Sequence, residues 1–73
     1  MWKDYSDKAS SLKLNEVLTL HAHMNLPTNN WFVFEISGWH SVESYPTMQQ
    51  AKEAAITYAK TAIAEAAKVL EKL

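Results

Sequence analysis

The side chains able to do chemistry are few and thinly spread. Three histidines occur, His21, His23 and His40. The pair His21-x-His23 puts two imidazoles on one face of any extended strand, because strand side chains alternate with a period of two. His40 would join them from a neighbouring strand. Three imidazoles around an open position suit a catalytic zinc ion. No acidic or thiolate ligand stands at helpful spacing, however, and alternate histidines on a solvated strand face are an ordinary arrangement, so no metal and no other cofactor is assigned. Imidazoles titrate near neutrality and would give such a face a pH response. Serine is present, but without a Gly-x-Ser-x-Gly elbow. Glu35 and Glu43 would face each other across a hairpin, as a carboxylate pair for acid–base work or, more simply, as exposed hairpin charges. The single glycine, Gly38, cannot build a phosphate cradle. The residues therefore describe a protein that binds rather than one that catalyses, and no enzymatic activity is expected.

Tryptophan carries the binding expectation. Trp31 and Trp39 fall on the polar side of the expected strands or at their ends, and exposed Trp is enriched at binding hot spots. With His21, His23 and Val33 they would form a partner-binding sheet face. The competing reading is that Trp2 or a loop folds back and buries them. Such a face would dock a protein or stack single-stranded bases. Under the second alternative, Lys13 on the sheet and Lys52 and Lys60 on the helix would meet phosphates.

These residues are positioned by one long element. From Thr47 to Leu73 the chain has neither Gly nor Pro and is rich in Ala, Glu and Lys, all good helix formers. Pro46 precedes it, and Thr47-Met48-Gln49-Gln50 fits the capping-box pattern. The helix would run roughly 39 Å. Its apolar arc spans roughly 180°, wider than one core requires. The arc has a floor of alanines (55, 59, 62, 66) flanked by Ile56, Ile63, Leu70, Tyr58 and Val69.

Ahead of the helix the pattern changes to period two. Residues 12–24 read as one long strand, with Leu12, Leu14, Leu18, Leu20, Ala22 and Met24 on one parity, and Asn15-Glu16 as a bulge or as the strand's true start. Residues 25–30 hold Pro27 and three Asn, which is loop chemistry. Trp31–Ser37 is a second strand, with Phe32, Phe34 and Ile36 inward and Trp31, Val33 and Glu35 outward. Ser37-Gly38 is a turn. Trp39–Tyr45 is a third, weaker strand with Val42 inward. Residues 1–11, with Trp2, Tyr5 and Ala9 at helical spacing, are a short helix or a frayed arm. The expected fold is a single α+β domain over 1–73. It is a three-stranded antiparallel meander over 12–45 (β-β-β-α) covered by one C-terminal helix over 47–73.

Size and charge narrow the function. Seventy-three residues without cysteine bury only about 60% of their unfolded surface and have no disulfide or thiolate metal site to reinforce them. A seven-residue strand spans roughly 23 Å, so the helix tail would overhang the sheet with Ile63, Ala66, Leu70 and Leu73 uncovered. Together with Ile56 these are the expected self-association residues of a homodimer. The formal net charge is −1 and there is no Arg, which argues against a dedicated nucleic-acid binder. No run of about 18 apolar residues spans a membrane, and the N-terminus lacks a signal-peptide core, so a cytoplasmic protein is expected.

Part of the chain resembles known families. Phe32-Val33-Phe34-Glu35-Ile36 followed by Gly38 is similar to the central strand and turn of the double-stranded-RNA-binding domain, and Ala51-Lys52-Glu53-Ala54-Ala55 to that family's helix signature. The resemblance covers about 25 scattered residues. It implies RNA binding, but Gln49 and Gln50 stand where the family has its phosphate-contacting lysine pair, and its first helix is missing. The strand–strand–strand–helix order around Tyr45-Pro46-Thr47 also resembles the arm-binding domains of phage integrases. No family is assigned. The reading is a small non-enzymatic, homodimeric protein-binding module or inhibitor of the phage or mobile-element type. The alternative is a nucleic-acid-binding domain.

Overall fold

The computed structural model describes residues 1–35, 40, 41 and 43–73. Four strands, β1 (Lys3–Ser6), β2 (Ala9–Lys13), β3 (Thr19–Asn25) and β4 (Asn30–Glu35), precede one helix, α1 (Met48–Glu71). The strands form an antiparallel meander in chain order, and α1 crosses one face against β3 and β4. The α+β architecture with a C-terminal helix is as the sequence predicts. Among the described residues the sheet has four strands rather than three, and residues 1–11 form no helix.

Local side-chain bonds place the turns that bound the extra strand. Residues 1–11 hold a hairpin in which Lys3 pairs with Ser11 and Asp4 with Ser10, with an irregularity between Asp4 and Ser6. The Ser6 hydroxyl accepts from the Lys8 amide at 3.0 Å across its turn, a local side-chain bond that competes with helix. The expected long strand 12–24 is likewise interrupted. The Asn15 carboxamide oxygen accepts from the Val17 and Leu18 amides, each at 2.8 Å, and Leu14 donates to the Leu18 carbonyl at 2.8 Å. Asn15-Glu16 is thus a hairpin turn, as Asx chemistry allows. The β3–β4 turn is closed by Asn29 at φ 58°, a left-handed conformation that Asn tolerates better than most residues.

The expected third strand is reduced, among the described residues, to two isolated bridges, Phe34 with His40 and Trp31 with Tyr45. Ile36, the Ser37-Gly38 turn, Trp39 and Val42 lie outside the described residues.

The face of β4 is the reverse of the one expected. Trp31, Val33 and Glu35 are buried toward the helix, while Phe32 and Phe34 are half-buried on the opposite side. The register is the cause: Met24 pairs with Trp31, Ala22 with Val33 and Leu20 with Glu35. Directly opposed residues in a ladder share a face. The apolar parity of β3 therefore draws Trp31 and Val33 inward. The core consists of Leu20, Ala22, Trp31 and Val33 from the sheet and Ala51, Ala55 and Ala59 from the helix. The alanine floor permits a close approach, and Trp31 fills the space that small residues leave.

The helix begins as its capping residues predict. Thr47 is extended, with φ −133° and ψ 157°, and its hydroxyl accepts from the Gln50 amide at 3.2 Å. With 24 residues α1 is about 36 Å long. The molecule measures 45 × 23 × 18 Å, and the sheet does not reach the far end of the helix. From Lys60 to Leu73 every residue but Ala62 is exposed.

Candidate binding surfaces

Two surfaces gather the residues of interest. The first is the sheet face turned away from α1. Because His21 opposes Phe34 and His23 opposes Phe32, four rings meet on that face. His21 stacks on Phe34, with ring centres 4.7 Å apart and planes 15° from parallel. His23 lies 5.0 Å from Phe34 and 5.9 Å from His21, and Phe32 and Phe34 are 5.8 Å apart. All four are half-buried, at spacings typical of favourable aromatic pairs. Burial among these rings lowers the pKa of His21 below its ordinary 6.5; the nearby His23 adds to the effect, and Glu35 opposes it. His40 joins this side through its bridge to Phe34 and is exposed. Among the described residues, no group of three or more His, Cys, Asp or Glu is placed to hold a metal ion.

The residues expected on a partner-binding face are divided between the two sides of the sheet. His21 and His23 lie on the open face. Trp31 and Val33 do not: they are 4% and 0% exposed, packed under the helix by the register described above. Trp39 lies outside the described residues. Phe32 and Phe34 take the place assigned to the tryptophan and valine. The expected Glu35–Glu43 pair is also divided, with Glu35 buried beneath the helix and Glu43 exposed.

The second surface is a groove of about 540 Å³ between the outer half of α1 and the tip of the β2–β3 hairpin, walled by Leu12, Leu14, Ile56, Ile63 and Ala67 with Lys60 at its rim. Its lining is almost wholly apolar because the hairpin contributes leucines and the helix contributes Ile and Ala. Beyond it the helix end bears Leu70 and Leu73, which are 68% and 97% exposed. Of the expected self-association residues, Ile56 is half-buried while Ile63, Ala66, Leu70 and Leu73 are exposed. The sequence places Leu12 and Leu14 only on the apolar parity of a strand, and Ala67 only in the overhanging helix tail. The helical part of the groove was nonetheless legible, because Ile56, Lys60, Ile63, Ala67 and Leu70 recur at spacings of four, three, four and three.

The three lysines offered for phosphate contact do not converge. Lys13 is exposed at the end of β2 and pairs with Glu16 at 3.4 Å. Lys52 is on the helix, bonded to Asp4 at 3.1 Å and lying over the Trp2 ring at 5.5 Å. The Ser10 hydroxyl and then Lys52 hold the Asp4 carboxyl below the usual carboxylate range. Lys60 stands at the groove. Among the described residues, no helix is long and apolar enough to cross a membrane. Comparison with family models, with curated proteins and with solved structures gives no match, so the surfaces themselves carry the functional reading.

Proposed function

We propose that the chain is a non-enzymatic binding module that works as a homodimer and presents its open sheet face to a protein partner. The observation that carries this reading is the uncovered outer half of α1. Ile63, Leu70 and Leu73 are 52%, 68% and 97% exposed beside an apolar groove. Fully burying an aliphatic side chain contributes about 1.5–3 kcal/mol. Scaled by those exposures, six such side chains in a pair contribute roughly 7–13 kcal/mol. Association costs about 4–15 kcal/mol. The most favourable difference between these figures, about 9 kcal/mol, sets a dimer no tighter than roughly micromolar. Sedimentation equilibrium from 5 to 500 micromolar protein tests it: a reversible monomer–dimer equilibrium is expected, and a strict monomer throughout that range refutes it.

A second reading has its own support. The four rings of the open face are accompanied by Lys3 and Lys13 at strand positions of the same parity. The two strand carboxylates, Asp4 and Glu35, turn toward the helix. Stacking of single-stranded bases needs ring faces and a few cations rather than guanidinium forks. Retention on a single-stranded oligonucleotide column that falls steeply with salt, and that Phe34→Leu weakens, favours this reading over a protein partner.

A further inference from the structure

We infer that the groove beside α1 is filled by the outer helix of a second copy, antiparallel to the first, with Lys60 of each chain meeting Glu71 of the other. This rests on the self-association reading above and specifies its geometry.

The four-three spacing of Ile56, Lys60, Ile63, Ala67 and Leu70 is the pattern of a two-helix seam. The seam does not sit over the middle of the chain's own sheet. Ala51, Ala55 and Ala59 fill that role, and the seam is turned aside from them into the groove. Its residues are accordingly exposed, or half-buried in the case of Ile56, although all but Lys60 are apolar.

Three features select a second copy as the occupant. The first is reciprocity: the molecule carries both a recess, walled by Leu12 and Leu14, and a protruding apolar end, Leu70 and Leu73. Antiparallel pairing sends each protruding end into the other copy's recess, so one contact covers both features twice. Parallel pairing would set the two ends side by side and leave the leucines of the hairpin wet. The second is size complementarity. With the two-fold axis at the level of Glu65, Ile63 faces the partner's Ala67, so large meets small at both central layers. The third is charge. In the same register Lys60 lies against the partner's Leu70 and beside the partner's Glu71. A lysine at a seam position costs affinity and fixes register, and here it finds a carboxylate on the facing chain. A minimal specific interface buries about 600 Å² per partner, roughly one-ninth of this chain's 5338 Å². The exposed helix end together with the hairpin wall can supply that area.

The chain has no cysteine, so the geometry is open to clean cross-linking. Ile63→Cys and Ala67→Cys proteins, each well exposed at the new thiol, are mixed and oxidised near the dimer midpoint. The expected result is a mixed 63–67 disulfide that forms at least tenfold faster than either self-disulfide. Preferential 63–63 or 67–67 linkage would mean a parallel pair or an antiparallel pair in another register, and either overturns the proposal. Sedimentation supplies the second arm. Lys60→Glu is expected to weaken the dimer about tenfold, since two exposed pairs turn from attraction to repulsion, and Lys60→Glu with Glu71→Lys to restore it within about threefold. Leu70→Glu should leave a monomer with an unchanged far-ultraviolet spectrum. A wild-type monomer would sink both this inference and the self-association reading. A dimer indifferent to Lys60→Glu and Leu70→Glu, but lost in Phe34→Asp, would sink the groove alone and move the contact to the sheet face.

Discussion

The direction in which β4 faces can be tested by a matched pair of truncations, Trp31→Ala and Phe32→Ala. The two residues are neighbours on one strand, both aromatic, and differ in little but the side they occupy. Trp31 is 4% exposed and packs in the cluster of Leu20, Ala22, Val33 and the helix alanines. Phe32 is half-buried against His23 and Phe34. Removing a buried Trp costs about 3–5 kcal/mol, the lost transfer energy plus a cavity that the rigid alanine floor cannot close. Truncating a half-exposed ring forfeits about half its burial and one ring contact, on the order of 1–2 kcal/mol. A domain of this size has about 4–11 kcal/mol in total, so Trp31→Ala consumes a third or more of it and Phe32→Ala a small share. Urea unfolding followed by circular dichroism at 222 nm resolves the two, because the helix reports the transition. The backbone bonds of residue 31 to Tyr45, at 2.6 and 2.7 Å, survive either change. If Phe32→Ala costs as much as Trp31→Ala or more, the strand faces the other way and the core assignment fails. Should Trp31→Ala not fold at all, Trp31→Phe against Phe32→Leu gives the same ordering with smaller losses.

Other consequences are as direct. Ala55 is wholly buried at the centre of the helix floor, so Ala55→Leu should destabilise by about 1–3 kcal/mol through overpacking, whereas Ala64→Leu on the exposed half should stay within about 0.5 kcal/mol; equal effects would deny the close approach of helix and sheet. The pKa of His21 is lowered by its burial and by His23, so its contribution to folding is fully present above about pH 6.5 and is lost as pH falls through its folded value. The melting temperature should therefore drop between pH 7 and 5, and His21→Gln should flatten that slope; an unchanged slope would assign it to other groups.

What the sequence determined by itself was local. The helix was legible from end to end because its signals act within one or two turns: a cap at Thr47, good helix formers, and no Gly or Pro. The parity of β3 was legible because its two sides differ in polarity, His21 and His23 against Leu20, Ala22 and Met24. The exposed outer helix followed from arithmetic on lengths. Even the turn at Asn15 had its chemistry on view, although a run of leucines on one parity hid it inside a longer strand.

Only the tertiary structure decided the face of β4. Trp31, Val33, Phe32 and Phe34 make both sides of that strand apolar, so periodicity offers no preference. The choice was made by pairing with β3, whose histidines cannot go beneath the helix without a desolvation cost, and by a row of alanines with room for one indole. The first hairpin was likewise settled at a distance. Residues 3–11 are mostly polar and have little strand propensity of their own; β2 becomes a strand by pairing with β3, and β1 by pairing with β2. The binding face follows from the same coupling: once the histidines are outside, the phenylalanines opposite them must be outside as well.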